Sequence, residues 1–224
     1  MSRSFGPAEL LECYRRGVFP MADDARDARL FLVDPDQRGV LPLDRLHIPR
    51  SLRRQVRADA FEVRTDTAFL AVMELCAEEA PDRPSTWINT PIVNLYGALH
   101  RQGYAHSVEC WRGGDLVGGL YGVALQSAFF GESMVSRAPG ASKVALVHLL
   151  ARLIQGGFTL LDTQFVTEHL KQFGVEEISR EAFHLRLADA LAHEARFPAR
   201  DAPPLSGREA LEVIAKRRQT PTAT

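Results

Sequence analysis

Between Ala128 and Arg137 one carboxylate, Glu132, stands among Phe129, Phe130, Met134 and Val135. An ionisable group in such company costs free energy unless it is paired or hydrogen-bonded, so Glu132 is either an edge residue facing water or a placed functional group. A second stretch, Leu160 to Phe165, repeats the pattern: Asp162 and Gln164 are two apart, and a strand would point both to one face. The seven histidines show no His-Glu-x-x-His or comparable ligand spacing, and there is no Gly-x-Ser-x-Gly elbow. Metal-assisted hydrolysis and serine hydrolysis are therefore unsupported.

Three further features suit nucleotides or phosphates, and each has a plainer reading. Arg50, Arg53, Arg54 and Arg57 fall at i, i+3, i+4 and i+7 of a helix. Their guanidinium groups could grip phosphate in bidentate fashion or form an ordinary solvated face. Trp87, in the Ser85 to Asn89 stretch, could stack on a base or pack in the core. The turn from Arg137 to Ser142 leads into a helix N-terminus whose free amides could hold a phosphate. It comes close to the Arg/Gln-x-x-Gly-x-Gly/Ala signature of coenzyme A-dependent acetyltransferases. Its last position is Ser142, however, and Pro139 removes a donor, so ordinary turn chemistry competes with a coenzyme A-dependent N-acetyltransferase.

The elements that must position these residues are legible in turn. Pro7, Leu10, Leu11, Tyr14 and Val18 have helical spacing, ended by Gly17 and Pro20, and residues 1–36 read as a small N-terminal appendage. Pro49 opens the arginine helix, with Leu52 and Val56 on its other side. Thr65 and Asp66 are expected to cap a helix running to about Glu79, Pro81 to Ser85 form a loop, and Thr90-Pro91 begins a helix ending at Gly103. Strands follow over Ala105 to Trp111, Leu116 to Leu125 and Ala128 to Val135. A helix capped by Ser142 and closed by Gly156-Gly157 leads to a strand from Phe158 to Val166 and a Thr167-capped helix ending at Gly174. Ser179 caps a helix to about Glu194, Ser206 and Glu209 make a capping box, and Thr220 to Thr224 should fray. The order predicts an α+β fold over residues 37–224: a mixed, mainly antiparallel sheet flanked by helices, of an acyltransferase-like kind.

Composition narrows the class. The chain has 224 residues, enough for one large domain with an appendage, and a formal net charge of −1, which argues against indiscriminate coating of nucleic acid. Three scattered cysteines fit reduced thiols better than a disulfide framework or a zinc site. With no signal-like N-terminus and no apolar run of about eighteen residues, a cytoplasmic location without membrane contact is expected. No heptad array or large apolar stripe calls for a partner subunit, so a monomer is expected.

Taken in order, Gly17-Val18-Phe19-Pro20, His47 to Leu52, Ser85 to Ile88, His106 to Trp111, Leu116 to Gly122, Phe130 to Met134 and Asp162-Thr163-Gln164 closely resemble the bacterial leucyl/phenylalanyl-tRNA–protein transferase family. The resemblance runs from about Leu11 to Phe183 and implies an aminoacyltransferase. Leu or Phe, with Met as a further candidate, would pass from aminoacyl-tRNA to the α-amino group of proteins beginning with Lys or Arg, marking them for degradation by the N-end rule. It implies an acetyltransferase-like (GNAT-like) main domain over residues 37–224 that uses no coenzyme A, no other cofactor and no metal. Asp162 would orient Gln164, whose carboxamide would assist the attacking amine and then the oxyanion, while Glu132 would hold the ammonium or the ribose.

The same resemblance places Leu120, Phe129, Met134, Leu146, Leu153 and Leu161 around the aminoacyl side chain. Trp87 and Met21 would lie at the terminal adenosine, and Arg50, Arg53, Arg54 and Arg57 at the acceptor stem. Met21 stands where some members carry Trp, and Thr167 replaces a family Asn. A non-catalytic tRNA-binding module using the arginine face is the remaining rival.

Overall fold

The protein is described from a computed structural model over residues 5–21, 31–78, 86–198 and 200–219. Pro at its first position and Glu9 in its first turn start α1 (Pro7–Arg15), which is followed by β1 (Phe19–Met21), β2 (Phe31–Val33) and β3 (Gln37–Val40). Next come α2 (Arg50–Arg57), β4 (Glu62–Thr65), α3 (Phe69–Ala77) and α4 (Thr90–Arg101), the last capped by the Asn89 side chain on the Ile92 amide. The meander is β5 (Ala105–Arg112), β6 (Asp115–Leu125) and β7 (Ala128–Ser136). The remaining elements are α5 (Ala141–Gly156), β8 (Leu160–Gln164), α6 (Glu168–Lys171), β9 (Glu176–Ser179), α7 (Arg180–Leu191) and α8 (Gly207–Arg217).

β1 and β2 pair as a separate ribbon, and seven strands form one sheet in the order β4-β5-β6-β7-β8-β3-β9. Every neighbour in that sheet is antiparallel except β7 and β8, which run parallel with α5 as the crossover between them. Strand alternation divides the core into two layers. Leu120, Phe129 and Leu161 face the cluster formed with α2, α5 and α8. Tyr121, Phe130 and Leu160 face the cluster formed with α1, α3, α4 and α7. The fold is α+β, with helices on both faces of a mixed, mainly antiparallel sheet.

Several expectations need correction. β3, β4 and β9 were not anticipated: each is four residues, too short for a period-2 pattern to stand out. Thr65 belongs to β4 and caps nothing; α3 begins after Ala68, and the buried Glu109 carboxylate accepts the Thr67 and Ala68 amides at 2.8 Å each. A carboxylate from a neighbouring strand thus does the work expected of a local cap. Ser142 lies inside α5, whose N-cap is Gly140 in the left-handed region at φ 84°. β8 is shorter than the Phe158 to Val166 run. The Pro81 to Ser85 loop and the Thr220 to Thr224 tail lie outside the described residues.

Candidate active site

The parallel pairing of β7 with β8 ends at Phe130 opposite Asp162. Just beyond it, β7 pairs with β6 through Gly131 opposite Gly122 and Ser133 opposite Tyr121, so Glu132 is the extra residue of a β-bulge. A bulge leaves one residue out of the ladder and re-aims its side chain. Here it turns Glu132 into a cleft of about 620 Å³ that opens where the two strands part. The walls are Leu120, Met134, Leu146, Leu149 and Leu161, and the polar end carries Glu132 and Gln164. Edge exposure is therefore not the reason for the carboxylate.

Two tyrosines hold it. Tyr14 of α1 donates its hydroxyl to Glu132 Oε1 at 2.7 Å, and Tyr96 of α4 donates to Oε2 at 3.0 Å. The two hydroxyls also lie 2.5 Å apart, so their two protons serve two of these three contacts at a time. Burial pushes the Glu132 carboxyl up to about 7, with the Asp162 charge adding to the rise, while the tyrosine hydrogen bonds and the Arg38 charge pull the other way. The same burial, with the Glu132 charge, holds both phenols well above their usual range, so they stay protonated donors.

Behind the cleft, Asp162 is fully buried and bidentate with Arg38, Oδ1 to Nε at 2.9 Å and Oδ2 to Nη2 at 2.7 Å. Arg38, on the adjacent β3, lies between the Phe19 and Phe183 rings and also donates to the Gly17 carbonyl at 2.9 Å. Asp162 Oδ1 accepts the backbone amide of Gln164 at 2.9 Å rather than its carboxamide. Gln164 has φ 54°, a conformation a non-glycine residue rarely adopts, and Asp162 holds it there. This twist sends the carboxamide toward Glu132, with Nε2 3.5 Å from Oε1, at the outer limit of a hydrogen bond. Asp162 thus positions the Gln164 backbone from behind and does not line the cleft.

Of the six expected pocket residues, Leu120, Met134, Leu146 and Leu161 line the cleft. Phe129 and Leu153 are fully buried in the layer behind, Phe129 against the Phe158 and Phe197 rings. Trp87 and Met21 are half-buried against the other core layer, and neither is part of the cleft wall. Arg50, Arg53, Arg54 and Arg57 line the exposed face of α2, while Leu52 and Val56 are buried. α2 is tied to the cleft rim: Gln55 donates to the Pro139 carbonyl at 3.0 Å, in the loop that connects β7 to α5.

That loop makes a poor pyrophosphate cradle. The Ala141 amide donates to the Ala138 carbonyl, the Ser142 amide to Ser136 Oγ, and the Arg137 guanidinium is engaged by Glu78. Three polar atoms around the cleft, Tyr121 Oη, Thr163 Oγ1 and His169 Nε2, are buried without a partner. Among the described residues no group of three or more His, Cys, Asp or Glu could hold a metal, and no helix is long and apolar enough to cross a membrane.

Tyr14, Tyr96 and Arg38 escaped the sequence reading. Tyr14 counted as apolar helical spacing, and only the need of a buried hydroxyl for a partner hinted at more. Arg38 sits in a polar run and gives no sign of its burial. Together the groups form an apolar slot ending in a carboxylate that ionises near neutrality beside a fixed carboxamide. Such a site can take an apolar side chain and accept a proton from, or hold, a cation next to it.

Comparison with known proteins gives the arrangement its context. A family model described as "Leucyl/phenylalanyl-tRNA protein transferase" matches residues 40–188, and one for the N-terminal domain of the same family matches residues 3–36. The leucyl/phenylalanyl-tRNA–protein transferase of Hyphomonas neptunium is 66% identical over 197 residues, 88% of this chain and 76% of that protein. Its counterpart from Phenylobacterium zucineum is 61% identical over 94% of this chain and 97% of that protein. That from Maricaulis maris is 58% identical over 95% and 98% respectively.

Proposed function

The chain belongs to the leucyl/phenylalanyl-tRNA–protein transferase family, and we propose that it moves Leu or Phe from aminoacyl-tRNA to the α-amino group of proteins that begin with Lys or Arg. The observation that supports this most is the bulged Glu132, held by two tyrosines at the polar end of an apolar cleft. The tRNA ester is already activated, so no strong nucleophile is needed, only placement of the amine, removal of its proton and support for the oxyanion. No cofactor enters this reading.

The aminoacyl side chain lies between Leu120, Met134, Leu146 and Leu161, with Met134 adapting to either guest. Such a pocket disfavours Ile and Val by shape, at about 1–3 kcal/mol. The acceptor arrives as an ammonium, which the ionised Glu132 holds and then deprotonates. A carboxyl at about 7 lies close to an α-amine near 7.7–8.0, the matching that proton transfer favours. The freed amine attacks the ester carbon, the Gln164 carboxamide donates to the oxyanion, and the carbon–oxygen bond breaks. The proton held by Glu132 passes to the departing 3′ oxygen, with the ribose 2′-hydroxyl as relay, and Glu132, ionised again, takes the second proton from the nitrogen as the peptide bond forms and releases it to water. A carboxamide is far too weak a base for the first step, which is why Glu132 takes it. A buried acidic end also favours acceptors with a basic first residue.

In this reading the terminal adenosine contacts Trp87 and Met21, and the acceptor stem meets Arg50, Arg53, Arg54 and Arg57, which Gln55 docks at the cleft rim. Residues 1–36 act as an appendage that lends Tyr14 to an acetyltransferase-like main domain at 37–224, working as a monomer in the cytoplasm. The modified proteins are thereby marked for degradation. The test is acceptor scanning with charged Leu-tRNA: peptides beginning with Arg or Lys gain a leucyl group and those beginning with Glu do not. Equal transfer to all three would refute the acceptor assignment.

A further inference from the structure

α8 lies beyond the stretch matched by the family model, which ends at residue 188, yet it is firmly built into the molecule. Ala210 and Ile214 are buried in the core layer with α2 and α5. The Gly207 amide donates to Asp59 Oδ1 at 2.6 Å, and a Cβ at Gly207 would stand 1.8 Å from the Val56 carbonyl oxygen. Only glycine allows so close an approach, so the start of α8 is locked against the end of α2.

The two helices enclose a groove of about 410 Å³ with an apolar floor of Leu46, Ile48 and Ile214. Arg53 and Arg57 of α2 stand on one side, and Arg208 of α8 and Arg218, which follows it, on the other. Glu212 is the sole carboxylate among the described lining residues. Several exposed arginines elsewhere are neutralised: Arg45 pairs with Glu176, Arg137 with Glu78 and Arg180 with Asp36. Among the described residues none of the four groove arginines makes such a pair. In a chain with formal net charge −1, four guanidinium groups against one carboxylate form a concentrated positive site. The groove is also coupled to the cleft, because α5, whose Leu146 and Leu149 line the cleft, packs against both α2 and α8.

We infer that α8 supplies the second wall of a phosphate-binding groove, in which Arg208 and Arg218 act with Arg53 and Arg57 to grip the sugar–phosphate backbone of the donor tRNA. This rests on the aminoacyl-tRNA reading above. Guanidinium forks suit phosphate oxygens, and the apolar floor lowers the local dielectric and strengthens the attraction.

The test is the double variant Arg208→Ala/Arg218→Ala, with tRNA affinity measured across a salt series. Each phosphate that is no longer neutralised lowers the slope of log K against log salt by roughly 0.7–0.9, so the slope becomes shallower by about 1.5 and KM for charged tRNA rises on the order of tenfold. Arg208→Lys/Arg218→Lys restores most of the slope, and Glu212→Gln tightens binding. The inference is overturned by an unchanged slope and KM in the alanine variant, or by Glu212→Gln failing to tighten binding, a readout that does not need the alanine variant to fold. Wild-type protein is assayed in parallel with an aminoacyl-adenosine fragment that has no tRNA body. Absence of that transfer sinks the underlying reading; its presence with an unaltered double variant sinks the groove alone.

Discussion

Replacing Glu132 by Gln should change the shape of the pH profile as well as its height. In the wild type the productive encounter is between an ionised Glu132 and an acceptor ammonium. kcat/KM then rises through about 7, where Glu132 ionises, and falls above about 8 as free acceptor loses its proton. Two units below its midpoint only about 1% of a group is ionised, so activity at pH 5 should be roughly a hundredfold below the maximum. Gln cannot take the proton, so only amine that is already neutral reacts, and it does so without a general base. Glu132→Gln should lose about 10²–10⁴ in rate at the optimum and show a profile that climbs to about 8 and then levels, with no alkaline fall. Stability gives a second readout. Folding raises this carboxyl from an ordinary 4.5 to about 7, so the folded state binds the proton more tightly and stability is lost as pH climbs between those values. At 1.36 kcal/mol per pH unit the loss is about 3 kcal/mol, and Glu132→Gln should remove it. Initial rates from pH 5 to 9, corrected for spontaneous ester hydrolysis, and urea unfolding at pH 5 and 8 measure both. A variant that keeps the wild-type bell, or a wild type with a flat acid limb, would refute the reasoning.

Arg38→Ala should cost about 3–5 kcal/mol, because it leaves the fully buried Asp162 carboxylate unpaired; denaturant unfolding that finds less than about 1 kcal/mol would contradict the assigned pairing. Tyr14→Phe removes a donor to the Glu132 carboxylate and should move the acid limb of the rate profile up by about one pH unit, with no move counting against that hydrogen bond as a determinant of ionisation. Leu146→Trp fills the cleft and should raise KM for Phe-tRNA more than for Leu-tRNA, and equal changes would remove Leu146 from the aminoacyl pocket.

The meander and the large α5 crossover were plain in the sequence because β5 to β7 and α5 are long enough for period and turn residues to show. β3, β4 and β9 were not, since four residues carry little pattern and their pairing is decided by neighbours far along the chain. The same limit applies in the site. Glu132, Asp162 and Gln164 stood out as polar residues in apolar strands. Their support did not: Tyr14 and Glu132 are 118 residues apart, and Arg38 and Asp162 are 124 apart. Nor does local alternation reveal a bulge, and the shift of register at Glu132 is what aims its side chain. Phe129 and Leu153 show the converse. Apolar identity at a strand or helix position cannot distinguish a pocket wall from the layer behind it.

The most direct measurement is a transfer reaction with gel-filtered protein, Leu-tRNA charged at its 3′ end and a peptide beginning with Arg, read by mass spectrometry with no other small molecule added. The peptide should gain one leucyl residue at its α-amino group, while Glu132→Gln leaves most of it unmodified at pH 7.5. An unmodified peptide beside demonstrably intact Leu-tRNA, or full conversion by the variant, would contradict the account.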